Sequence, residues 1–533
     1  MTPDPKASAV TDPAVPTPAR DPRPATPTEV FAVYGAEPEV QAYAMAKYSR
    51  SALSMKESLA EISEQKAEKF LNTFYFQYGH RSIADLAHIA FAVERLSILA
   101  AIILVDEPRW DGQERSTRYQ DFQRSGYHVP DFGGDERALA LYRETADFLF
   151  SEYQELSGTI FRYLVERTPR PAEMKQEAYE RTLKARAFDV TRYLLPLATN
   201  TSLGQIVNAR TLENQIARLL ASPFAEVRCL GGLLKKAASE AAYNVTHAAC
   251  ADLVRQITER DPELGSRAEA LLLKPVRTAP TLVKYADPSQ YEMATRADLG
   301  QAARELMARE PIEPAAPVDL LDDEPLEIEL PTTLLYEHCH YPYRQLRRRV
   351  EALPAARRQE ILDLAAARHR GRHDELLRAF AAGQKFRFDI LMDVGGFRDM
   401  HRHRRCVQIQ QGFTPLHGYD TPEDMTAAGA APRYDAAMHR AADAVAQLAA
   451  LALPEAAESA LYLLPLAYRK RTLFKMDFAE VVYISELRTT PAGHFSYRNV
   501  AYAMYEAVAR RHPALAPYFR VTDVRQPVDL LKR

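Results

Sequence analysis

The sequence predicts a duplicated α+β fold, and three observations lead to this prediction. The chain has 533 residues, more than one hydrophobic core usually supports. Helical spacing of apolar residues alternates along it with shorter extended segments. The hexapeptide YLLPLA occurs at residues 193–198 and again at 462–467, and each copy precedes a predicted helix that ends near an arginine, Arg218 or Arg488. Because the flanking helices keep their order, we interpret the chain as two copies of a domain of roughly 230 residues.

The domain boundaries follow from composition. Residues 1–28 hold eight prolines among Ala, Thr and Asp and are predicted to be a disordered tail. Residues 275–330 are rich in proline and acidic side chains, which is typical of a linker. The first domain is therefore assigned to residues 29–274 and the second to residues 331–533.

Apolar spacing gives the elements of each domain. In the first domain it predicts a strand at 30–34, an extended segment at 114–119, and helices at 48–78, 136–166, 173–193, 208–220 and 233–260. In the second it predicts helices at 344–380, 438–453 and 474–487, and a strand at 386–396. Pro169 and Pro171 separate two of the helices, since proline cannot continue a helix.

Charge and composition exclude several classes of protein. The formal net charge of −3 gives no overall field that would attract nucleic acid or an anionic membrane. No run of eighteen apolar residues suggests a membrane span, and no apolar leader is recognised. The four cysteines have no CxxC spacing, which argues against a disulfide framework or structural zinc. We expect a cytoplasmic protein with no nucleic-acid or membrane partner.

Two short segments have the chemistry of an anion site. His401-Arg402-His403-Arg404-Arg405 follows an apolar run, so its guanidinium groups are held against a core where they can grip phosphates. The alternative is a solvated basic face. In the segment 114–119, Glu114, Ser116 and Arg118 share one face of an extended chain. Here the alternative is an ordinary Glu and Arg pair on a sheet.

A metal site is a further alternative for the basic segment. Its candidate ligands are His401, His403, Cys406 and His417. The intervening arginines would oppose a cation, and the spacing matches no common zinc pattern, so no metal is expected.

Both segments resemble motifs of the flavin-dependent thymidylate synthases, which carry Arg-His-Arg followed by Glu-x-Ser-x-Arg-Tyr. The first half of this chain has Glu114-x-Ser116-x-Arg118-Tyr119 but Asp106-Glu107-Pro108 in place of Arg-His-Arg. The second half has Arg402-His403-Arg404 but Gln410, Gly412 and Thr414 in place of Glu, Ser and Arg. Each half keeps the motif that the other lacks.

The resemblance extends over most of the chain outside the tail and linker. His80-x-Ser82, Arg192 before Leu-Pro, and Asn208-x-Arg210 with Asn214 are similar to further motifs of the family. Arg218 and Arg488 both match the arginine that the family uses to ionise the pyrimidine ring. His80 has an equally acceptable interpretation as a helix cap or core histidine.

The resemblance implies a pseudo-dimer with a mixed or antiparallel sheet flanked by helices in each half, and one active site shared between the halves. The implied substrate-binding residues are Glu114, Ser116, Arg118, Arg192 and Arg402. The implied flavin-binding residues are Ser82, Arg402, His403, Arg404, Asn208, Arg210 and Asn214. Of the two candidate catalytic residues, Arg218 is preferred over Arg488, because its helix also carries the flavin motif. The second site would lack both motifs.

The implied reaction is reductive methylation of dUMP to dTMP, with FAD as cofactor and methylenetetrahydrofolate and NADPH as co-substrates. The family's assembly implies a homodimer of about twice 60.1 kDa. The alternative is a catalytically inactive flavin- or nucleotide-binding homologue with a regulatory or scaffold role. Asp399 stands where the family often has glutamine, and a carboxylate there would either oppose a phosphate, which favours this alternative, or pair with Arg402.

Overall fold

Two antiparallel sheets, one in each half of the chain, form the framework of the protein. A computed structural model describes residues 35–47, 59, 81–118, 120–122, 125–368, 377–380 and 384–531. The predicted tail, the strand at 30–34, nearly all of the predicted helix at 48–78, and the residues His80 and Tyr119 lie outside this part of the chain. Residues Glu37–Arg533 belong to one compact unit, so the two halves pack together.

The first sheet has the order β1-β3-β2 and the second the order β4-β5-β7-β6. The strands are β1 (His88–Ser97), β2 (Asp111–Glu114), β3 (Asn200–Asn208), β4 (Val318–Leu320), β5 (Phe386–Asp393), β6 (Val407–Gln410) and β7 (Arg469–Met476). All strand pairs are antiparallel. The α+β class expected from the sequence is confirmed.

Helices cover both sheets. In the first half and the following segment they are α1 (Pro38–Lys47), α2 (Ile98–Leu104), α3 (Glu136–Arg167), α4 (Gln176–Thr191), α5 (Ala209–Leu220), α6 (Ala225–Ser239), α7 (His247–Arg260), α8 (Pro262–Leu272) and α9 (Gln290–Leu306). In the second half they are α10 (Leu326–Tyr336), α11 (Tyr343–Glu351), α12 (Ala355–Ala366), α13 (Val394–Met400), α14 (Glu423–Ala427), α15 (Ala431–Ala449), α16 (Ala456–Leu461), α17 (Phe478–Arg488) and α18 (Phe495–Arg511).

The predicted helix ends agree best with the structure where a polar side chain caps the helix. Asp135 caps α3 by accepting from the backbone N–H groups of Arg137 and Ala138, and Asn208 caps α5 by accepting from Thr211. The single helix predicted at 233–260 is wrong, because it is divided into α6 and α7 around residues 240–246. The helix predicted at 344–380 is likewise divided, into α11 and α12, at Pro354.

The helix predicted at 474–487 begins later, because residues 469–476 form the central strand β7. Its sequence, RKRTLFKM, contains basic residues that are uncommon in a buried strand, so the strand was not predicted. The structure neutralises two of them with acids: Arg471 contacts Asp389 at 2.9 Å and Lys475 contacts Glu329 at 2.8 Å. The strand predicted at 386–396 ends at Asp393, whose carboxylate caps α13.

The segment predicted to be a linker, residues 275–330, contains regular structure. It includes α9 and strand β4, which pairs with β5 of the second sheet. Leu299 and Ala303 of α9 are fully buried in a small hydrophobic cluster with Leu473 of β7. This regular structure does not test the domain boundaries proposed from composition, and they remain predictions.

The two copies of YLLPLA are buried and pair with each other across the interface between the halves. Pro196 and Pro465 form an isolated antiparallel bridge. The N–H to carbonyl hydrogen bonds around it come in equivalent pairs: Leu197 to Leu464 (2.9 Å) and Leu466 to Leu195 (3.0 Å), then Ala198 to Tyr462 (2.7 Å) and Ala467 to Tyr193 (3.2 Å). Such reciprocal contacts define a local two-fold axis, as at the interface of a symmetric dimer.

The same symmetry relates contacts farther from the axis. The Tyr142 hydroxyl donates to the His128 carbonyl at 2.8 Å, and Tyr434 repeats this contact with Asp420 at 2.7 Å. A main hydrophobic cluster combines buried side chains from both halves, including Leu197 and Leu466. The halves thus share one core. Among the described residues, no helix combines the length and apolar character needed to cross a membrane.

Candidate functional site

Helix α13 of the second half packs against the Glu114–Arg118 segment of the first half. Arg398 on this helix donates to the Glu114 carboxylate and, at 3.5 Å, to the Thr117 hydroxyl. The side chains of Arg398 and Glu114 are each only 9% exposed. A charged pair buried to this degree requires close geometry, so the two segments are held firmly together. The two motif regions that the halves divide between them are therefore neighbours.

Arg192 is the most buried cation of this cluster. Its residue is 2% exposed. Nη1 lies 3.3 Å from the Thr117 hydroxyl and 3.8 Å from the Asp399 carboxylate, and Nε lies 3.6 Å from Asp189. Both Nε and Nη2 are buried without a hydrogen-bond partner. Unused guanidinium donors in a buried site are available to an oxyanion.

Arg118 connects the first half to helix α18 and the residues before it. Its Nε contacts Asp189 at 2.9 Å, Nη1 donates to the Tyr497 hydroxyl at 3.0 Å, and Nη2 donates to the Ala492 carbonyl at 2.9 Å. Burial opposes ionisation, but the Asp189 carboxylate raises the pKa of Arg118 overall. Each guanidinium nitrogen of Arg118 is thus already engaged by the protein.

Asp189 is the anion that balances these cations. It is 1% exposed and also contacts Arg186 at 3.7 Å and His494 Nδ1 at 3.0 Å. Burial alone would raise the pKa of Asp189, but the surrounding cationic groups hold it well below its usual range. Burial lowers the pKa of His494 to about 4, so this ring is neutral at pH 7. The carboxylate is therefore ionised and paired mainly with arginines.

The Arg402-His403-Arg404 motif presents one free cation. Arg402 is exposed and forms no hydrogen bond or ion pair with any residue that the structure describes. His403 is buried, accepts from Arg488 Nε at 2.8 Å and lies 3.4 Å from Glu480; burial lowers its pKa. Arg404 lies over the Trp110 ring, 5.0 Å from its centroid.

Arg488 and Arg218 contact different parts of the protein. Arg488 lies 5.4 Å from the centroid of the Tyr497 ring, and Arg118 lies 5.7 Å from the same ring. Arg218 instead forms an ion pair with Glu107 at 2.6 Å. Arg488 therefore lies beside the cluster that contains Arg118, whereas Arg218 contacts the segment that replaces Arg-His-Arg in the first half.

The predicted flavin motif lies at the start of α5. Asn208 is the N-cap, Arg210 pairs with Asp85 at 3.2 Å, and Asn214 is on the next turn. Ser82 lies in the short 3-10 helix Arg81–Leu86. Arg404 approaches this region through Trp110, whose indole N–H donates to Gln205 on β3, the strand that leads into α5.

In the first half, Asp106-Glu107-Pro108 stands in place of Arg-His-Arg, and Asp106 forms an ion pair. Asp106 contacts Arg378 at 2.6 Å and lies 3.7 Å from His401. Although burial would raise the pKa of Asp106, Arg378 and His401 lower it overall. Asp106, an acid, is therefore paired with an internal arginine at the position where the family motif has cations.

Several residues of the cluster escaped the sequence interpretation. Thr117, Asp189, Arg398 and Tyr497 contact predicted site residues, and His494 contacts Asp189. Arg398 precedes the recognised motif by one helical turn, and this spacing was the available signal. Arg378, which the sequence placed only at the end of a predicted helix, pairs with Asp106.

The candidate metal ligands do not converge. No group of three or more His, Cys, Asp or Glu side chains able to hold a metal is found in the described part of the chain. His401 contacts Gln408 at 2.8 Å, while Cys406 contacts the His403 carbonyl. His417 packs against His340, with 6.0 Å between ring centroids.

The fold and this cluster define a duplicated α+β protein with a basic site between its halves. The chain belongs to the family described as thymidylate synthase complementing protein, whose sequence model matches residues 32–238 and 350–514. The match falls in two segments, one in each half, which agrees with the structural repeat and with the predicted tandem duplication. The predicted family is confirmed.

Full-length relatives share this double length. A UPF0159 protein of Chlamydia muridarum is 28% identical over 522 residues, covering 93% of this chain and 92% of the relative. One from Thermoplasma acidophilum is 22% identical over 518 residues, covering 90% and 94%. A flavin-dependent thymidylate synthase of Clostridium tetani is 25% identical over 258 residues, covering 48% of this chain and 85% of the relative.

Two solved structures show weaker similarity. Thymidylate synthase X from Helicobacter pylori, solved with FAD and dUMP, is 17% identical and covers 38% of this chain and 88% of that chain, with a TM-score of 0.26. A UMP/dUMP methylase from Streptomyces cacaoi, bound with 5-bromo-dUMP, is 16% identical and covers 37% and 84%, also with a TM-score of 0.26. These similarities are too weak for a comparison of individual residues.

Proposed function

We propose that this protein is a flavin-dependent thymidylate synthase with one active site, located where α13 meets the Glu114–Arg118 segment. The reaction is reductive methylation of dUMP to dTMP, with methylenetetrahydrofolate and NADPH as co-substrates. The observation that carries this proposal is Arg192, which is 2% exposed, lies next to residues of both halves and has a buried Nη2 without a hydrogen-bond partner. The family membership supports the same chemistry.

The dUMP phosphate binds between Arg192 and Arg402. Arg192 offers buried donors, and Arg402 is an exposed cation that forms no ion pair with the described residues. The Ser116 hydroxyl accepts from the Arg118 backbone N–H at 3.2 Å, which leaves its own proton for a phosphate oxygen. Glu114 and Arg118, both engaged by protein groups, hold the surrounding segments in position.

Arg488 is the residue that we assign to the uracil ring. A cation beside the ring stabilises the anion formed when the N3 proton is lost, especially in a poorly solvated site. Arg488 shares the Tyr497 ring with Arg118. Arg218 is fixed by Glu107 at 2.6 Å and is therefore the weaker candidate, contrary to the preference drawn from the sequence.

FAD fits a set of donors that extends from the second half to α5. Arg404 and Arg402 offer cations for its phosphates, and His403, Ser82, Asn208, Arg210 and Asn214 complete the proposed binding residues. Arg404 lies over the Trp110 ring, and Trp110 donates to Gln205 on the strand that leads into α5, which supports placing Arg404 and the start of α5 at one site. The bound flavin supplies the redox chemistry, and the protein contributes orientation and charge.

The decisive test is tritium release from [5-3H]dUMP by purified, flavin-loaded protein with methylenetetrahydrofolate and NADPH. Arg402→Ala is expected to reduce kcat/KM by at least 100-fold, on the order of 3 kcal/mol in transition-state stabilisation. Arg405→Ala is the matched control, because this exposed arginine pairs with Asp477 at 3.2 Å and has no assigned role. It is expected to retain activity.

Absence of turnover in flavin-loaded wild-type protein would reject the synthase. The alternative, an inactive flavin or nucleotide binder, is favoured by one observation: Asp399 places a carboxylate 3.8 Å from Arg192, where it competes with a phosphate. In that case dUMP still perturbs the flavin spectrum without tritium release. For either function we propose a homodimer, and sedimentation of the chain as a clean monomer would contradict it.

A further inference from the structure

A second polar cavity lies outside the proposed active site. It has a volume of about 790 Å³ and is bounded by Arg186 on α4, Arg498 on α18, the segment around Asp420 and Asp424, and the C-terminal residues 524–528. This volume is typical of pockets for small metabolites. Neither Arg192 nor Arg402 lines it.

Arg498 is a buried cation without a counter-ion. The residue is 6% exposed, and its Nε donates to the Thr489 carbonyl at 3.2 Å. Its Nη2 is buried without a hydrogen-bond partner. No carboxylate in the described part of the chain lies within ion-pair distance of Arg498. Because an unpaired buried charge is destabilising, a bound anion at this position would be favoured.

The other charges of the cavity leave Arg498 uncompensated. Asp420 is paired with Arg469 at 2.6 Å, and Asp424 contacts Arg186 at 3.4 Å. Burial lowers the pKa of Arg498, and the nearby Arg186 lowers it further, as expected where two cations face a common space. Arg186 also has a buried Nε without a hydrogen-bond partner.

We propose that this cavity binds a small molecule through an oxyanion group, phosphate or carboxylate, held by Arg498 and Arg186. Two guanidinium groups with unused buried donors match the geometry and charge of either group. The remainder of the cavity accommodates the body of the ligand. This site is independent of the proposed thymidylate synthesis, because it uses different arginines and requires no turnover.

Isothermal titration of the full chain with inorganic phosphate tests the proposal. Wild-type protein is expected to bind two phosphates, one in this cavity and one at the proposed active site. Arg498→Met is expected to weaken the first binding event at least tenfold, and Arg402→Ala to weaken only the second. If Arg402→Ala has no effect while Arg498→Met removes one event, the active-site proposal fails and the cavity proposal stands.

Asp424→Asn is expected to change the phosphate affinity of the cavity in the direction opposite to Arg498→Met. Removing this carboxylate leaves Arg186 with one ion-pair partner, Asp189, in place of two, so phosphate affinity at the cavity should increase severalfold. A parallel titration with malonate distinguishes the source of the oxyanion: tighter binding of malonate than of phosphate indicates a carboxylate ligand. Identical phosphate titrations of wild type and Arg498→Met, or unchanged affinity in Asp424→Asn, would overturn the proposal.

Discussion

At the scale of single residues, the interface between the halves depends on charges that are buried in pairs. Arg398 and Glu114 are each 9% exposed and come from different halves. Removing one member of such a pair leaves the other buried and unpaired, which costs more than the pair itself contributes. The same reasoning explains why the nitrogens of Arg192 and Arg498 that form no hydrogen bond are informative: natural proteins seldom leave a buried donor without a hydrogen-bond partner.

Glu114→Gln is therefore expected to destabilise the protein by about 3 kcal/mol, because Arg398 loses its counter-ion. The double variant Glu114→Gln/Arg398→Met should recover most of this loss. Chemical denaturation followed by circular dichroism measures both values. Glu351→Gln is the control: it breaks an exposed pair with Arg347 and should change stability by less than about 1 kcal/mol. An additive double variant would contradict the contact between halves.

At the scale of elements, sequence patterns predicted the helices whose ends carry caps and whose apolar spacing is regular. Asp135 and Asn208 gave such signals for α3 and α5. Strand β7 was not predicted because Lys470, Arg471 and Lys475 are buried. Burial of these charged side chains is tolerable only when tertiary partners neutralise them. Local periodicity contains no information about those partners.

The candidate site was likewise predicted only in part from the sequence. The motifs containing Glu114, Arg192 and Arg402 were identified from the sequence. The contact of Arg398 with Glu114, and the pairing of Arg218 with Glu107 that favours Arg488, depend on how the halves pack. Packing between distant segments is set by long-range contacts that a single sequence does not display.

The paired YLLPLA segments carry the second prediction at this scale. Leu197 and Leu466 are both fully buried and donate equivalent hydrogen bonds across the local two-fold axis. Leu197→Ala and Leu466→Ala are each expected to cost about 3 kcal/mol. Because the halves share one core, both should shift the same unfolding transition in calorimetry. Leu326→Ala, at a 53% exposed position, serves as control. Two transitions, with each variant shifting a different one, would show independent domains.

At the scale of the whole molecule, buried titratable groups determine the response to acid. His401 and His494 are almost fully buried, and burial lowers the pKa of each to about 4. In the unfolded chain histidine has a pKa of about 6.5, so between these values the unfolded state binds more protons at both positions. Stability contributed by these groups is present above pH 6.5 and is lost as the pH falls towards 4.

Asp393 opposes this trend. It is fully buried, and burial, followed by the nearby Asp420, raises its pKa to about 6. Below pH 6 the folded state therefore holds an additional proton at this carboxyl, which offsets part of the histidine contribution. Burial also lowers the pKa of His417 to about 4 and lowers the pKa of His403, so we expect the unfolded state to bind more protons overall and stability to fall as the pH drops from 6 to 4.

Urea denaturation at pH 7, 6, 5 and 4.5 measures this slope. His401→Asn removes one of the histidine contributions, so its stability should fall less steeply than that of wild type over the same range, whereas His439→Asn, at an exposed position, should follow the wild-type profile. A wild-type profile that rises as the pH falls would mean that Asp393 outweighs the histidines. A profile in which His401→Asn remains as steep as wild type would show that His401 is already protonated in the folded protein at these pH values.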